Sequence, residues 1–245
     1  MIISLPCAAH RKELRYMINE VYIPEVRGHL KKNIINLPEA ILGASGIKIN
    51  GRIIRSFIFT TDVATIRNNN ADAVIAVYPF IPQPIITQAI VSVADVPVFC
   101  GIGSSGGAGG IKRVVNLAKH AEYQGAQGVV VSANISNEAV AEIAAAIDIP
   151  VILTVISGNT DFKARLEAGV SILNVAGAAE TPAIIRSIRG EYPYVPIIAT
   201  GGPNDATIAE TIAAGANAIT YTPPTSGNLF AVKANKSREL ETRRS

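Results

Sequence analysis

The sequence predicts an α/β fold, a (βα)8 barrel of the TIM type with an N-terminal helix and hairpin extension, and three observations carry it. From residue 52 onward, apolar β-branched runs end at Thr60, Tyr78, Cys100, Val131, Thr154, Val175, Ala199 and Tyr221, in steps of 18, 22, 31, 23, 21, 24 and 22 residues. Between them lie patterns with apolar positions at helical spacing, such as Asn137-Glu-Ala-Val-Ala-Glu-Ile-Ala-Ala-Ala-Ile147. The runs are apolar almost throughout, as parallel strands buried on both faces are. Eight such units in about 190 residues suit a barrel, which takes ~250 residues with extensions. A doubly wound open sheet is the alternative, because strand count alone does not close a sheet.

The elements follow in order. Residues 11–22 have helical character, and Pro24, Gly28 and Pro38 break what comes after. Gly46-Ile-Lys-Ile-Asn-Gly-Arg-Ile-Ile54 signals a hairpin, since Asn50-Gly51 suits a type I′ turn. With Arg52 opening the first barrel strand, residues 1–51 form an extension whose hairpin plugs the barrel's N-terminal end. Residues 52–245 then hold the eight units. Gly125, Gly169 and Gly215 fall where helix C-terminal caps belong, and Thr181-Pro182 reads as an N-cap followed by proline at N1. Residues 1–245 are expected to form one domain.

Composition narrows the function classes. The chain is 49% hydrophobic and 17% charged, enough to bury a sizeable core. Its net charge is +3, and no basic cluster is interleaved with aromatics, so no nucleic-acid partner is expected. Lys233, Lys236, Arg238, Arg243 and Arg244 read as a solvated helix face and tail. The two cysteines, Cys7 and Cys100, have no CxxC or Cys/His ligand spacing, so no metal or cofactor is expected. Met1 to Pro6 lacks a basic n-region, and no apolar run approaches the ~20 residues of a membrane span. The expected location is cytoplasmic, without a membrane partner. The oligomeric state stays open, a homo-oligomer included.

Ligands of such barrels bind at the C-terminal ends of the strands. The loops there contain Thr61 and Asp62; Tyr78 and Gln83; Cys100 to Gly110; Ser132 and Asn134; Ser157 to Asp161; Asn174 and Glu180; Thr200 to Asp205; and Tyr221 to Asn228. The third loop has six glycines in eleven residues and can wrap an oxyanion or act as a lid, with Gly103 and Ser104 as candidate substrate contacts. Lys112 and Arg113 open the helix behind it. Asp62 is the candidate general base, against the alternative of an N-cap for the helix that follows. Asp161, Glu180 and Asp205 read mainly as helix-dipole carboxylates. Cys100 is a candidate nucleophile only with a base beside it; buried filling is the alternative. No Ser-His-Asp order and no HExxH motif is present, and His10 is the one histidine placed to serve a hydrolase. No lysine falls on an inner strand position, which argues against a Schiff-base aldolase.

Two segments form a plausible phosphate cup. Ile197-Ile-Ala-Thr-Gly-Gly-Pro-Asn204 ends a strand in a glycine pair, and Thr225-Ser-Gly-Asn228 opens the last helix. Glycines let backbone N–H groups approach a ligand, and a helix start adds unpaired donors.

The stretch from Val195 to Asn228, through Ala199-Thr-Gly-Gly202, Ala213-Ala-Gly-Ala216 and Ala218-Ile-Thr-Tyr-Thr222, resembles the phosphate-binding end of ribulose-phosphate-binding barrels. N-acylmannosamine-6-phosphate epimerase, 2-keto-3-deoxy-6-phosphogluconate aldolase and, more loosely, IMP dehydrogenase share the style. The resemblance implies that backbone amides near Gly201, Gly202, Ser226, Gly227 and Asn228 hold a phosphate. The epimerase and aldolase lysines have no counterpart on a strand here, and Pro223-Pro224 departs from the pattern. The whole chain is also similar to uncharacterised bacterial barrel proteins labelled hydrolase.

The resulting expectation is a metal-independent enzyme acting on a small phosphorylated sugar or related metabolite, of the isomerase, epimerase or lyase kind. Asp62 would be the base, Asn134 and Asn174 would orient reacting hydroxyls, and Ser132 and Thr200 would contact substrate. Two alternatives stand beside it. One is a hydrolase using Cys100 or a serine of the loop from Ser104, and the other is a non-catalytic phosphometabolite-binding barrel.

Overall fold

The structure, a computed structural model, describes residues 34–103 and 110–242. The expected helix over 11–22, together with His10, His29 and Ser104, lies outside the described residues.

Eight parallel strands close into a barrel, so the open sheet is excluded. They are β3 (Ser56–Phe59), β4 (Ala73–Ala76), β5 (Val98–Gly103), β6 (Gly128–Val131), β7 (Val151–Val155), β8 (Ile172–Val175), β9 (Ile197–Thr200) and β10 (Ala218–Tyr221), with β10 pairing β3 to shut the ring. The helices that follow them are α1 (Val63–Arg67), α2 (Pro84–Val93), α3 (Gly110–Tyr123), α4 (Asn137–Ala146), α5 (Phe162–Glu167), α6 (Thr181–Glu191), α7 (Asp205–Ala213) and α8 (Ser226–Thr242). This is a (βα)8 TIM barrel.

The hairpin forms as expected, with β1 (Ile47–Ile49) antiparallel to β2 (Arg52–Ile54). Asn50 and Gly51 both take positive φ, at 48° and 81°, as a type I′ turn requires. One boundary is corrected. Arg52 belongs to the hairpin, and the barrel strand begins at Ser56, where Asp72 accepts hydrogen bonds from the N–H groups of Arg55 and Ser56. That carboxylate breaks the chain's run between the two strands.

Two apolar clusters result from the alternation of side chains along each strand. The inner one joins Phe57, Ala73, Ile75, Phe99, Val130, Ile152, Ile172, Ile198 and Ala218 to the hairpin residues Ile47, Ile49 and Ile54. The hairpin therefore plugs the N-terminal end. Phe57 and Phe99 meet edge to face there, with ring centroids 5.2 Å apart. The outer cluster packs the other strand faces, including Cys100, Val131, Leu153 and Ile219, against the helices.

Glycines at Gly125, Gly169 and Gly215 have φ of 94°, 110° and 114°, the left-handed geometry of helix ends. Thr181 is the first residue of α6 and Glu180 its cap; the Thr181 hydroxyl instead accepts the N–H of Gly177. The outer layer also departs from eight packed helices. Residues 35–43 bridge from Asn68 and Asn70 beyond α1 to a 3-10 turn, Glu39–Gly43, packed on α7 with Ile41 buried. The last helix, α8, leaves Leu229, Phe230 and Val232 exposed.

Candidate functional site

Above the hydrophobic plug, each strand presents its next inward position. These are Phe59, Val77, Gly101, Ser132, Thr154, Asn174, Thr200 and Thr220, each two residues beyond a member of the inner cluster. None of the eight carries a titratable group. Ser132, Thr154, Asn174, Thr200 and Thr220 make five of the eight positions polar just where the barrel opens. A cavity of about 90 Å³ lies at its edge, lined by Val77, Tyr78, Gly101, Val130, Ser132 and Thr154 among others.

Asn174 and Thr220 are the unusual members. They are 9% and 6% exposed, and Asn174 Oδ1 and Thr220 Oγ1 have no hydrogen-bond partner among the described residues. Buried polar atoms are nearly always paired, so two orphans in one ring single out this part of the mouth. Asn174 is among the residues the sequence singles out, and Thr220 is not. Its signal was a threonine two residues beyond Ala218, hidden inside a strand whose ends drew attention.

The other expected residues divide. Asp62 caps α1, its Oδ1 accepting the Thr65 N–H at 2.8 Å, while Oδ2 accepts the Ser226 hydroxyl at 2.7 Å. The Ser226 bond foremost, then that from Thr65, holds its pKa below the ordinary carboxylate value. A carboxylate so engaged is a weaker base, which favours the capping role over proton abstraction. Asn134 is exposed in the turn after β6, where the Ile135 N–H donates to Ser132 O. Cys100 faces the outer layer, 1% exposed, with Thr87 beside its thiol. Burial pushes the thiol up to about 12, so it stays protonated at neutral pH. Cys100 is thus turned away from the mouth, which corrects its placement as a mouth nucleophile.

The expected phosphate cup is partly consumed by the fold. A Cβ on Gly201 would lie 2.6 Å from Ile219 Cγ2, and one on Gly202, whose φ is 84°, would lie 2.5 Å from Thr207 Oγ1. Both glycines are therefore required by packing. Thr207 also closes a capping box with Asn204 at the start of α7. The Asn228 N–H is taken by Thr225 Oγ1 at 3.2 Å, which removes it from the cup. The backbone N–H groups of Ser226 and Gly227 have no partner among the described residues, at the start of a helix whose first hydroxyl already serves Asp62.

Among the described residues, no three His, Cys, Asp or Glu side chains come together as a metal-binding set. No described helix is long and apolar enough to cross a membrane.

No protein-family model and no curated protein matches the chain. Solved structures do match it. A phosphonopyruvate hydrolase in complex with oxalate and Mg++ is 17% identical, with 85% of this chain and 88% of that chain covered and a TM-score of 0.57. A Burkholderia cenocepacia J2315 protein described as a phosphonomutase is 18% identical, covering 78% and 93%, with a TM-score of 0.56. A phosphoenolpyruvate phosphomutase from Streptomyces platensis subsp. rosaceus is 14% identical, covering 76% and 81%, also at 0.56. At these identities the likeness is one of fold, and it does not single out the ribulose-phosphate-binding group.

Proposed function

We propose that the chain is an enzyme acting on a small phosphorylated metabolite at the C-terminal mouth of the barrel, by isomerase, epimerase or lyase chemistry. The observation that carries this reading is the pair of orphaned atoms, Asn174 Oδ1 and Thr220 Oγ1. A buried polar group without a partner costs about 1–3 kcal/mol, and a ligand that completes it recovers that cost. Thr200 and the N–H groups of Ser226 and Gly227 are the rim donors suited to an oxyanion. Asp62 would hold Ser226 and the α1 start in position, Ser132 would contact the substrate beside Thr154, and the exposed Asn134 would lie toward the substrate's outer part. The fold neighbours act by name on phosphonopyruvate or phosphoenolpyruvate, which are compounds of the same general class. The substrate class here rests on this chain's own mouth.

A second reading has its own observation. The inner ring holds no titratable group, which suits a barrel that binds a phosphometabolite without converting it. The hydrolase alternative loses its Cys100 form, because that thiol is buried beside a threonine and not a base, while its serine form falls on the loop from Ser104, outside the described residues.

A thermal-shift screen tests the reading, using glucose 6-phosphate, ribose 5-phosphate and glycerol 3-phosphate, each beside its unphosphorylated counterpart. A ligand at about 100 times its Kd adds ~2.7 kcal/mol of stability. Equal shifts for phosphorylated and plain compounds would sink it. An NMR time course on any binder then separates the two readings, since turnover supports the enzyme and an unchanged ligand supports the binder.

A further inference from the structure

We infer that the deep end of the mouth is a subsite for a neutral, hydroxyl-bearing group of two or three carbons, and that it rejects a carboxylate. This rests on the reading that the mouth binds a phosphorylated metabolite, and it states which end of that metabolite lies deep.

Thr154 is the hinge of the argument. It lines the cavity of about 90 Å³, and it is the register partner of Asn174 on the neighbouring strand. That volume is small beside the ~300–1,000 Å³ of ordinary ligand pockets, so it suits one short end of a metabolite. Asn174, 9% exposed on the strand next to that of Thr154, keeps an unpaired amide oxygen among the described residues, and Thr220 keeps an unpaired hydroxyl two strands further round.

The chemistry of these groups selects the ligand. A side-chain amide offers a donor and an acceptor, and a threonine hydroxyl offers both. An alcohol donates and accepts, so it completes either group whichever way the amide is turned. A carboxylate only accepts. It would also arrive as a buried charge with no cation in the ring to meet it.

Isothermal titration of the full chain tests the inference with three probes: glycerol 3-phosphate, 2-phosphoglycolate and inorganic phosphate. Glycerol 3-phosphate is expected to bind at least tenfold tighter than either of the others. In Thr154→Val, which keeps the side chain's shape, and in Asn174→Leu, that advantage should fall below threefold while phosphate affinity is unchanged. Binding of 2-phosphoglycolate as tight as glycerol 3-phosphate overturns the subsite and leaves the phosphorylated-metabolite reading standing. So does an undiminished glycerol 3-phosphate affinity in both variants. No binding of any probe removes the reading and the subsite together.

Discussion

The hydroxyl of Ser226 donates to Asp62 Oδ2 at 2.7 Å, tying the loop after β3 to the first turn of α8. The bond spans the seam where β10 pairs with β3 and the barrel closes. Asp62 thereby joins two helix starts, since its other oxygen caps α1. The residue that most resembled a base in the sequence is, in the fold, a clasp.

That clasp has a pH signature. The Asp62 pKa is lowered from 3.8, mainly by Ser226, so its stabilisation is complete above that value and is lost as pH falls through the lower folded one. Ser226→Ala removes the largest cause. Its stability deficit, measured by urea midpoints, should be constant above about pH 5 and shrink toward acid. A deficit unchanged down to about pH 2.5 would contradict the clasp.

Cys100 should be chemically silent. In a Cys7→Ser background the native protein is expected to resist iodoacetamide at pH 8 and to react once unfolded in urea. The cause is burial, which pushes the thiol up to about 12. Rapid native alkylation, followed by mass spectrometry, would restore it as a candidate nucleophile.

Thr220→Val should stabilise the protein and impair its ligand binding together. The change removes an orphaned hydroxyl while keeping the side chain's volume. The gain expected is on the order of 1 kcal/mol, or about 2–4 °C in Tm for a chain of this size. A lower Tm would mean that the hydroxyl already has a partner.

Gly202→Ala should destabilise the ligand-free protein by about 1–2 kcal/mol, because φ is positive and the new Cβ displaces the Thr207 hydroxyl from its capping box. Gly201→Ala meets Ile219 and Ile208 at 2.6 and 2.9 Å and should cost at least as much. Urea denaturation checks both. Neutral outcomes would return these glycines to a purely ligand-binding role.

The repeat was legible because parallel barrel strands leave a periodic apolar trace. Val131, Val175 and Tyr221 end their strands where the runs end, while the run to Cys100 continues to Gly103. What the trace hides is phase. In Val98-Phe-Cys-Gly both faces are apolar, so nothing marks Phe99 as inward and Cys100 as outward until the ring closes. Asn174 stood out as a polar break in such a run, and Thr220, small and β-branched, did not. The glycine pair at 201–202 had two readings, ligand approach and close packing, and only the positions of Ile219 and Thr207 separate them. The use of residues 35–43 on the outer wall left no periodic trace, because a 3-10 turn and an isolated bridge have none.

The most direct test of the central claim is the side-chain amide signal of Asn174, assigned by its loss in Asn174→Leu and followed by NMR as glycerol 3-phosphate is added. Binding at the mouth predicts a saturable shift of that signal, with a Kd matching the titration heat. Saturable binding that leaves the Asn174 amide unmoved would place the ligand elsewhere and contradict the account.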